Sequence, residues 1–423
     1  MITLVEALNY RCLRYSSQPL GPFHVLVGPN ASGKTTFLDV IAFLGRLVSD
    51  GIDAAIDERT HNFYDLVWQR EGEQFELAVE AAIPEDLRVL LPSAEFDTIR
   101  YEVAVGIDTK TQELGLHDET VILIASGRRL NLDLFGDPSD RSGVPRTILN
   151  STRGLGARAS QTVIHKVRGG NDNFCSETYG ATGKGWVPAF KLGPRRSALA
   201  NMPADESKFP VSTWFRDLLT AGVQQLVLNS LLIRKASPPG QGQGFRPDGS
   251  NLPWVVAELR QRSPERFQAW IAHLKTAFAD LEDVNTIERP EDRHRYLVLR
   301  YSDGLEVPSW MASDGTLRML ALTLPAYLDD FRGIYLIEEP ENGIHPRAIE
   351  TMTQSLSSVY NAQVLLATHS PVILSTVEAE QVLCFAKNPE GATDIVRGSE
   401  HPALQSWKHE TTLGTLFAAG VLG

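Results

Sequence analysis

The residues whose types and spacing could do chemistry sit in two places. Glu338 and Glu339 end an apolar run, Ile334–Ile337, in the stretch YLIEEPENGIHP. Two like charges side by side at the edge of a core are costly unless something uses both. Far upstream, Gly28, Pro29, Asn30, Ala31, Ser32, Gly33, Lys34 and Thr35 fit the pattern G-x-x-x-x-G-K-[ST], with Thr36 directly after. Glycines at those positions let backbone N–H groups wrap a phosphate, the lysine reaches the β- and γ-phosphates, and the Thr35 hydroxyl suits Mg²⁺. Such a cradle needs a carboxylate at the end of a neighbouring strand to hold the metal, the role expected of Glu338. Hydrolysis also needs a base that orients water, the role expected of Glu339. Strand side chains alternate, so both can face one site only if the chain turns between them, and Pro340 favours that turn.

The elements that must position these groups are written in the hydrophobic period. FHVLV (Phe23–Val27) reads as a short buried strand, and Phe37, Ile41, Leu44 and Val48 follow the glycine loop at helical spacing. QFELAVEAAI and IRYEVAVGI read as strands of an antiparallel side sheet. From about residue 126 to 290 the chain is rich in Gly, Ser and Arg. SPPGQGQGFRPDGSN is a loop by composition, and helical patterns follow at LPWVVAELRQR and PERFQAWIAHLKTAFADL without a long heptad repeat. Alternation of strand and helix then resumes: RYLVLRY, TLRMLALTLPAYLDD, IYLIEE, a helix after Pro346, and QVLLATHS. The expected organisation is an N-terminal lobe over residues 1–125, an insertion over 126–294 and a C-terminal lobe over 295–423.

With 423 residues and 43% hydrophobic content, the chain can bury one large core or two. A net charge of −12 means that its overall field does not hold it to nucleic acid, so any such contact must come from a local patch. Cys12, Cys175 and Cys384 are scattered and form no metal-type pair, which fits a reducing cytoplasm. No apolar run approaches the length of a membrane span.

Taken together, these motifs resemble the ABC-type ATPase heads of SMC-like proteins and of the OLD family of defence ATPases. GPNASGKTT resembles their Walker A, IYLIEE their Walker B with an adjoining catalytic glutamate, and PENGIHP, with Asn342, Gly343 and His345, their D-loop. LLATHSP places His369 like the switch histidine that senses the γ-phosphate. SDGTLRMLAL, with Ser313, Asp314, Gly315 and Thr316, resembles the signature helix in its OLD-like form. Ser313 and Asp314 can cap that helix, and Gly315 lets backbone approach a ligand. The resemblance covers both ends of the chain, with the motifs in the family's order. It implies an α/β P-loop NTPase with a mixed central sheet, an antiparallel side sheet and a helical, loop-rich insertion. It also implies ATP and Mg²⁺ as cofactors and a homodimer, or a larger even-numbered oligomer, that sandwiches two ATP molecules and presents each signature to the other subunit. An acting partner such as a nuclease would be encoded separately, because only about 50 residues follow His369. Gln69 in LVWQREG is a candidate for the family's metal-coupling glutamine, and equally a surface turn residue. Two other readings stand beside the switch ATPase. One is an ATP-stabilised scaffold with slow hydrolysis; the other is the energy-coupling subunit of a transporter, against which SDGT in place of LSGGQ argues.

Between Arg141 and Gly170 the basic residues Arg141, Arg146, Arg153, Arg158, Lys166 and Arg168 have no acid among them, and Lys191, Arg195 and Arg196 follow. They could contact the phosphates of DNA, meet an acidic partner, or form a solvated loop. Near the C-terminus, Leu413, Leu416, Phe417 and Val421 at helical spacing read as a helix packed on its own domain, with partner docking as the alternative.

Overall fold

The computed structural model describes residues 1–93, 95–125, 143–149, 160–179, 188–241, 244–329, 331–405 and 412–420. Two units divide the chain: Met1–Gly21, Asn30–Val223 and Phe385–Ile395 form the first, and Pro22–Pro29, Gln224–Cys384 and Val396–Gly423 the second. Among the described residues, no helix is long and apolar enough to cross a membrane.

The first unit is built on an eight-stranded sheet. Its order is Leu13–Pro19, Ile2–Tyr10, Gln74–Ala82, Phe96–Ile107, Leu114–Ala125, Ser160–Val167, Asp172–Phe174 and Ala189–Phe190. Every neighbouring pair is antiparallel. QFELAVEAAI and IRYEVAVGI thus pair as their alternation predicts, with Glu76 opposite Ala104. The helix Lys34–Asp50 buries Phe37, Ile41, Leu44 and Val48, the positions its period marks, and Leu38, Val40, Phe43 and Leu47 besides. It packs against the helix Pro210–Thr220, and a Cβ at Gly45 would lie 2.6 Å from the Leu219 carbonyl oxygen, so only glycine fits that crossing.

Charges inside this unit are paired, as burial demands. Arg100, 1% exposed, meets Glu6, Glu80 and Glu102. Glu119, fully buried, accepts from the Tyr101 and Ser197 hydroxyls and from the Ala198 and Leu199 N–H groups. Glu177, also fully buried, accepts from the N–H groups of Val211 (2.7 Å) and Ser212 (2.8 Å) in the first turn of Pro210–Thr220.

The second unit holds the parallel strands Ile334–Glu338, Gln363–Ala367 and Phe23–Val27. A six-stranded sheet is ordered Val223–Leu226, Ile334–Glu338, Gln363–Ala367, Phe23–Val27, Val382–Lys387 and Thr393–Arg397. Phe23–Val27 is buried at every residue and pairs in parallel on both sides, which is why, His24 apart, it reads as an apolar run rather than an alternating one. The helices Leu252–Arg262, Pro264–Ala277, Asp314–Thr323 and Pro346–Ser357 contribute to the core of this unit, where Phe267, Trp270, Leu317, Leu320 and Met352 are buried with Val25, Tyr335 and Leu366. The buried Trp270 Nε1 donates to the Thr323 hydroxyl at 2.9 Å. A smaller antiparallel sheet joins Leu281–Glu288, Arg295–Tyr301 and Glu306–Pro308. The short helix Leu413–Ala418 buries Leu413 in the same core, with Leu416 and Phe417 packed against it; Val421 lies outside the described residues.

Candidate functional site

Parallel register brings the strand ends level. Glu338 is opposite Ala367, and Ala367 is opposite Leu26. The carboxyl ends of Ile334–Glu338, Gln363–Ala367 and Phe23–Val27 therefore share one edge, the edge at which open α/β sheets bind ligands. Gly28 starts the glycine loop there, and Glu338, Glu339, Thr368 and His369 leave the neighbouring strands there.

The glycine loop uses unusual backbone. Gly28, Ala31 and Gly33 all have positive φ, at 154°, 60° and 106°. A Cβ on Gly33 would lie 2.3 Å from the Thr393 hydroxyl and 3.1 Å from the Cys12 sulfur, so this position has room for glycine alone. Thr393 seals the turn by donating its hydroxyl to the Ser32 carbonyl at 2.9 Å. The Ser32 hydroxyl is buried without a hydrogen-bond partner among the described residues. Lys34 opens the helix and is only 8% exposed, whereas Thr35 is exposed and Thr36 is buried. A cation in the first turn of a helix adds to the positive end of the dipole. That donor set fits a phosphate.

The turn between the two glutamates occurs in the backbone itself. The strand ends at Glu338, and Glu339 takes φ 46°, a left-handed conformation that costs a non-glycine residue about 1 kcal/mol or more. Its N–H still donates to the Ala367 carbonyl at 2.8 Å, the last rung of the ladder. The side-chain alternation is broken there, so the two carboxylates are not forced to opposite faces.

Residues 340–343 form a tight turn that grips both strand ends. Asn342 donates its Nδ2 to Glu339 Oε2 at 2.6 Å and its N–H to the Glu339 carbonyl at 3.1 Å. Glu341 Oε1 accepts from the Thr368 hydroxyl at 2.6 Å and from the His369 N–H at 3.1 Å. Gly343 has φ 78°, and His345 caps the helix Pro346–Ser357 by accepting the Arg347 N–H at Nδ1.

Ser313 caps the helix Asp314–Thr323, as its type and position predict, accepting the Thr316 N–H at 3.1 Å. The Thr316 hydroxyl meets the Ser313 hydroxyl at 2.8 Å. Asp314 is engaged by the Arg234 guanidinium. The sequence leads one to expect that Gly315 admits a ligand's close approach. In the fold the close approach is made by the chain itself, since a Cβ on Gly315 would lie 2.4 Å from the Gly343 carbonyl oxygen. Gln69 lies exposed in a short turn with φ 52°, followed by Arg70 with φ 60° and an ion pair to Asp65.

The basic residues form no single face. Lys166 is 3% exposed and its Nζ is tied to Asp172 at 2.8 Å, so it is unavailable to nucleic acid or to a partner. Arg168 pairs with Asp108, and Arg195 with Asp53. Arg146, Lys191 and Arg196 are exposed, and Arg141, Arg153 and Arg158 lie outside the described residues. Glu341 and Arg234 are the site neighbours that motif reading misses. Glu341 lies inside PENGIHP, and no local signal names its partner 28 residues away.

A family model described as "AAA domain, putative AbiEii toxin, Type IV TA system" matches residues 23–90 and 181–375. The "Retron Vc95 probable ATPase" of Vibrio cholerae serotype O1 biovar El Tor is 28% identical over 160 residues. That match spans 31% of this chain and 31% of the relative, so less than a third of the relative's length is represented. Among solved structures, the SmcHead bound to the C-winged helix domain of ScpA superposes with a TM-score of 0.51 at 13% identity, covering 93% of this chain and 97% of that one. The likeness shows the SMC-head fold of a P-loop NTPase.

Proposed function

The chain belongs to the family described as AAA domain, putative AbiEii toxin, Type IV TA system, and from that membership we propose that it is an ATP-hydrolysing switch of the ABC-head type. The single observation that carries the hydrolytic role is the left-handed backbone at Glu339, which frees its carboxylate from the alternation set by Glu338. Strain of this kind persists where the surrounding structure holds it, and functional sites are where it concentrates. The Gly33 turn and the buried Lys34 support the nucleotide reading from the other motif.

In this reading the N–H groups of Gly28–Thr36 and the Lys34 ammonium bind the phosphates of ATP. Thr35 and Glu338, with Gln69 a weaker candidate, would hold Mg²⁺, which would supply positive charge against the phosphates. Glu339, oriented by Asn342, accepts a proton from the attacking water. The His369 ring contacts the γ-phosphate. Ser313, Asp314, Gly315 and Thr316 of a second copy close the site, so two heads sandwich two nucleotides. The family description and the retron relative support a role in defence, with a separately encoded effector responding to the ATP state. A scaffold that ATP merely stabilises is the alternative, and the turnover rate separates the two.

The test is Glu339→Gln. It should bind ATP with parental affinity while kcat falls by roughly 10²- to 10⁴-fold, the usual worth of a positioned base. Hydrolysis at the parental rate would remove Glu339 from the role. Turnover in the parent too slow to detect, together with a stable ATP-bound assembly, would favour the scaffold.

A further inference from the structure

The backbone past the ends of the parallel strands has donors that no strand neighbour can take. Glu339 N–H reaches the Ala367 carbonyl and Thr368 N–H reaches the Leu26 carbonyl, and with these the ladder ends. The next donor, His369 N–H, must find another acceptor, since buried backbone groups are almost always paired. It finds Glu341 Oε1, which also takes the hydroxyl of the fully buried Thr368. The Thr368 hydroxyl in turn accepts the Ser370 N–H at 2.9 Å, and Ser370 caps the helix Pro371–Leu374. One carboxylate oxygen therefore anchors the turn on which His369 stands.

The other oxygen tells against a merely packing role. Glu341 Oε2 is buried and has no hydrogen-bond partner among the described residues, and neither has the buried Nε of Arg318. Arg318 feels Asp314 and Glu341 electrostatically, and burial still holds its guanidinium below the ordinary arginine range. A carboxylate that leaves one oxygen unsatisfied costs free energy, and what it retains is a bond to the backbone of His369.

We propose that Glu341 is the positioning residue for His369: its carboxylate fixes the Thr368–His369 backbone and so aims the histidine ring at the carboxyl edge of the parallel sheet. With Asn342 holding Glu339, adjacent residues of one turn orient both groups assigned to hydrolysis. The proposal rests on the reading of His369 given above, and its test separates the two.

Glu341→Ala removes the acceptor, Glu341→Gln keeps Oε1 without the charge, and Thr368→Val removes one of the two donors at constant shape. Steady-state ATPase should show kcat reduced on the order of 10²-fold in Glu341→Ala, the cost of a loosened catalytic group, with KM for ATP within about twofold of parental. Glu341→Gln should restore most of kcat, and Thr368→Val should fall between. Glu341→Ala turning over like the parent, or Glu341→Gln as slow as Glu341→Ala, overturns the proposal. Hydrogen exchange without nucleotide gives the independent readout: peptides spanning residues 365–374 should exchange faster in Glu341→Ala, with those spanning residues 382–387 unchanged. Unchanged exchange at 365–374 also overturns it. If the parent has no ATPase activity but the exchange difference is present, the anchoring stands and the hydrolytic reading falls.

Discussion

At the scale of single residues, carboxylates that accept backbone N–H groups do quite different work in different places. Glu177 shows the energetic side. It caps the helix Pro210–Thr220 from full burial, and burial raises its carboxyl from the ordinary 4.5 to about 7 against the pull of its hydrogen bonds. The sign follows from proton binding: between about pH 4.5 and 7 the folded chain keeps a proton that the unfolded chain has lost. Its stabilisation is complete below pH 4.5 and is lost as pH rises towards 7, up to about 3 kcal/mol in all. Glu177→Gln should flatten the fall in melting temperature across that window relative to the parent, whatever its absolute stability; an identical slope refutes the assignment. Of the features that matter here, the turn between the paired glutamates was legible because charge ends an apolar run and Pro340 favours a turn. Glu341 was not, because its value lies in a bond to a backbone group 28 residues away. Lys166 was misread for the same kind of reason, since its partner Asp172 and its burial emerge only when the strands pair.

At the scale of elements, the signature helix and the tight turn are built around each other. Gly315 faces the Gly343 carbonyl with no room for a methyl group. Gly315→Ala should therefore cost roughly 1–3 kcal/mol, as overpacking does, whereas Ser313→Ala should cost only about 1 kcal/mol, the worth of a cap. Denaturant titration of both variants checks the order; equal stability of Gly315→Ala and parent would mean that the turn yields without cost. Helices with a clear apolar stripe, such as Lys34–Asp50, were readable over the stripe itself, here Phe37 to Val48. The short strands Ser160–Val167, Asp172–Phe174 and Ala189–Phe190 were not, because a stretch rich in Gly, Ser and Arg hides edge strands that get their order from pairing rather than propensity.

At the scale of the whole molecule, the expected ATP sandwich is a statement about mass. With Glu339→Gln to block turnover, light scattering should show even-numbered assemblies with ATP and Mg²⁺ and smaller species without. Ser313→Ala should weaken the shift. A mass indifferent to nucleotide would leave the constitutive scaffold as the better account. The fold class was legible because the order of the motifs carries it. The side sheet's full width was not, since its last three strands come from that same unpromising stretch.

The chain passes between its two units five times. The strand Phe23–Val27 is made among the first residues, yet the strands that flank it, Gln363–Ala367 and Val382–Lys387, follow more than 330 residues later. At ribosomal speeds that interval is roughly 20–70 s. Throughout it, a five-residue segment, apolar except for His24, has neither neighbour, a window in which a growing polypeptide needs chaperone cover. Synthesis rate and holdase supply should therefore govern how much of this protein reaches its native state, more than the stability of the finished fold.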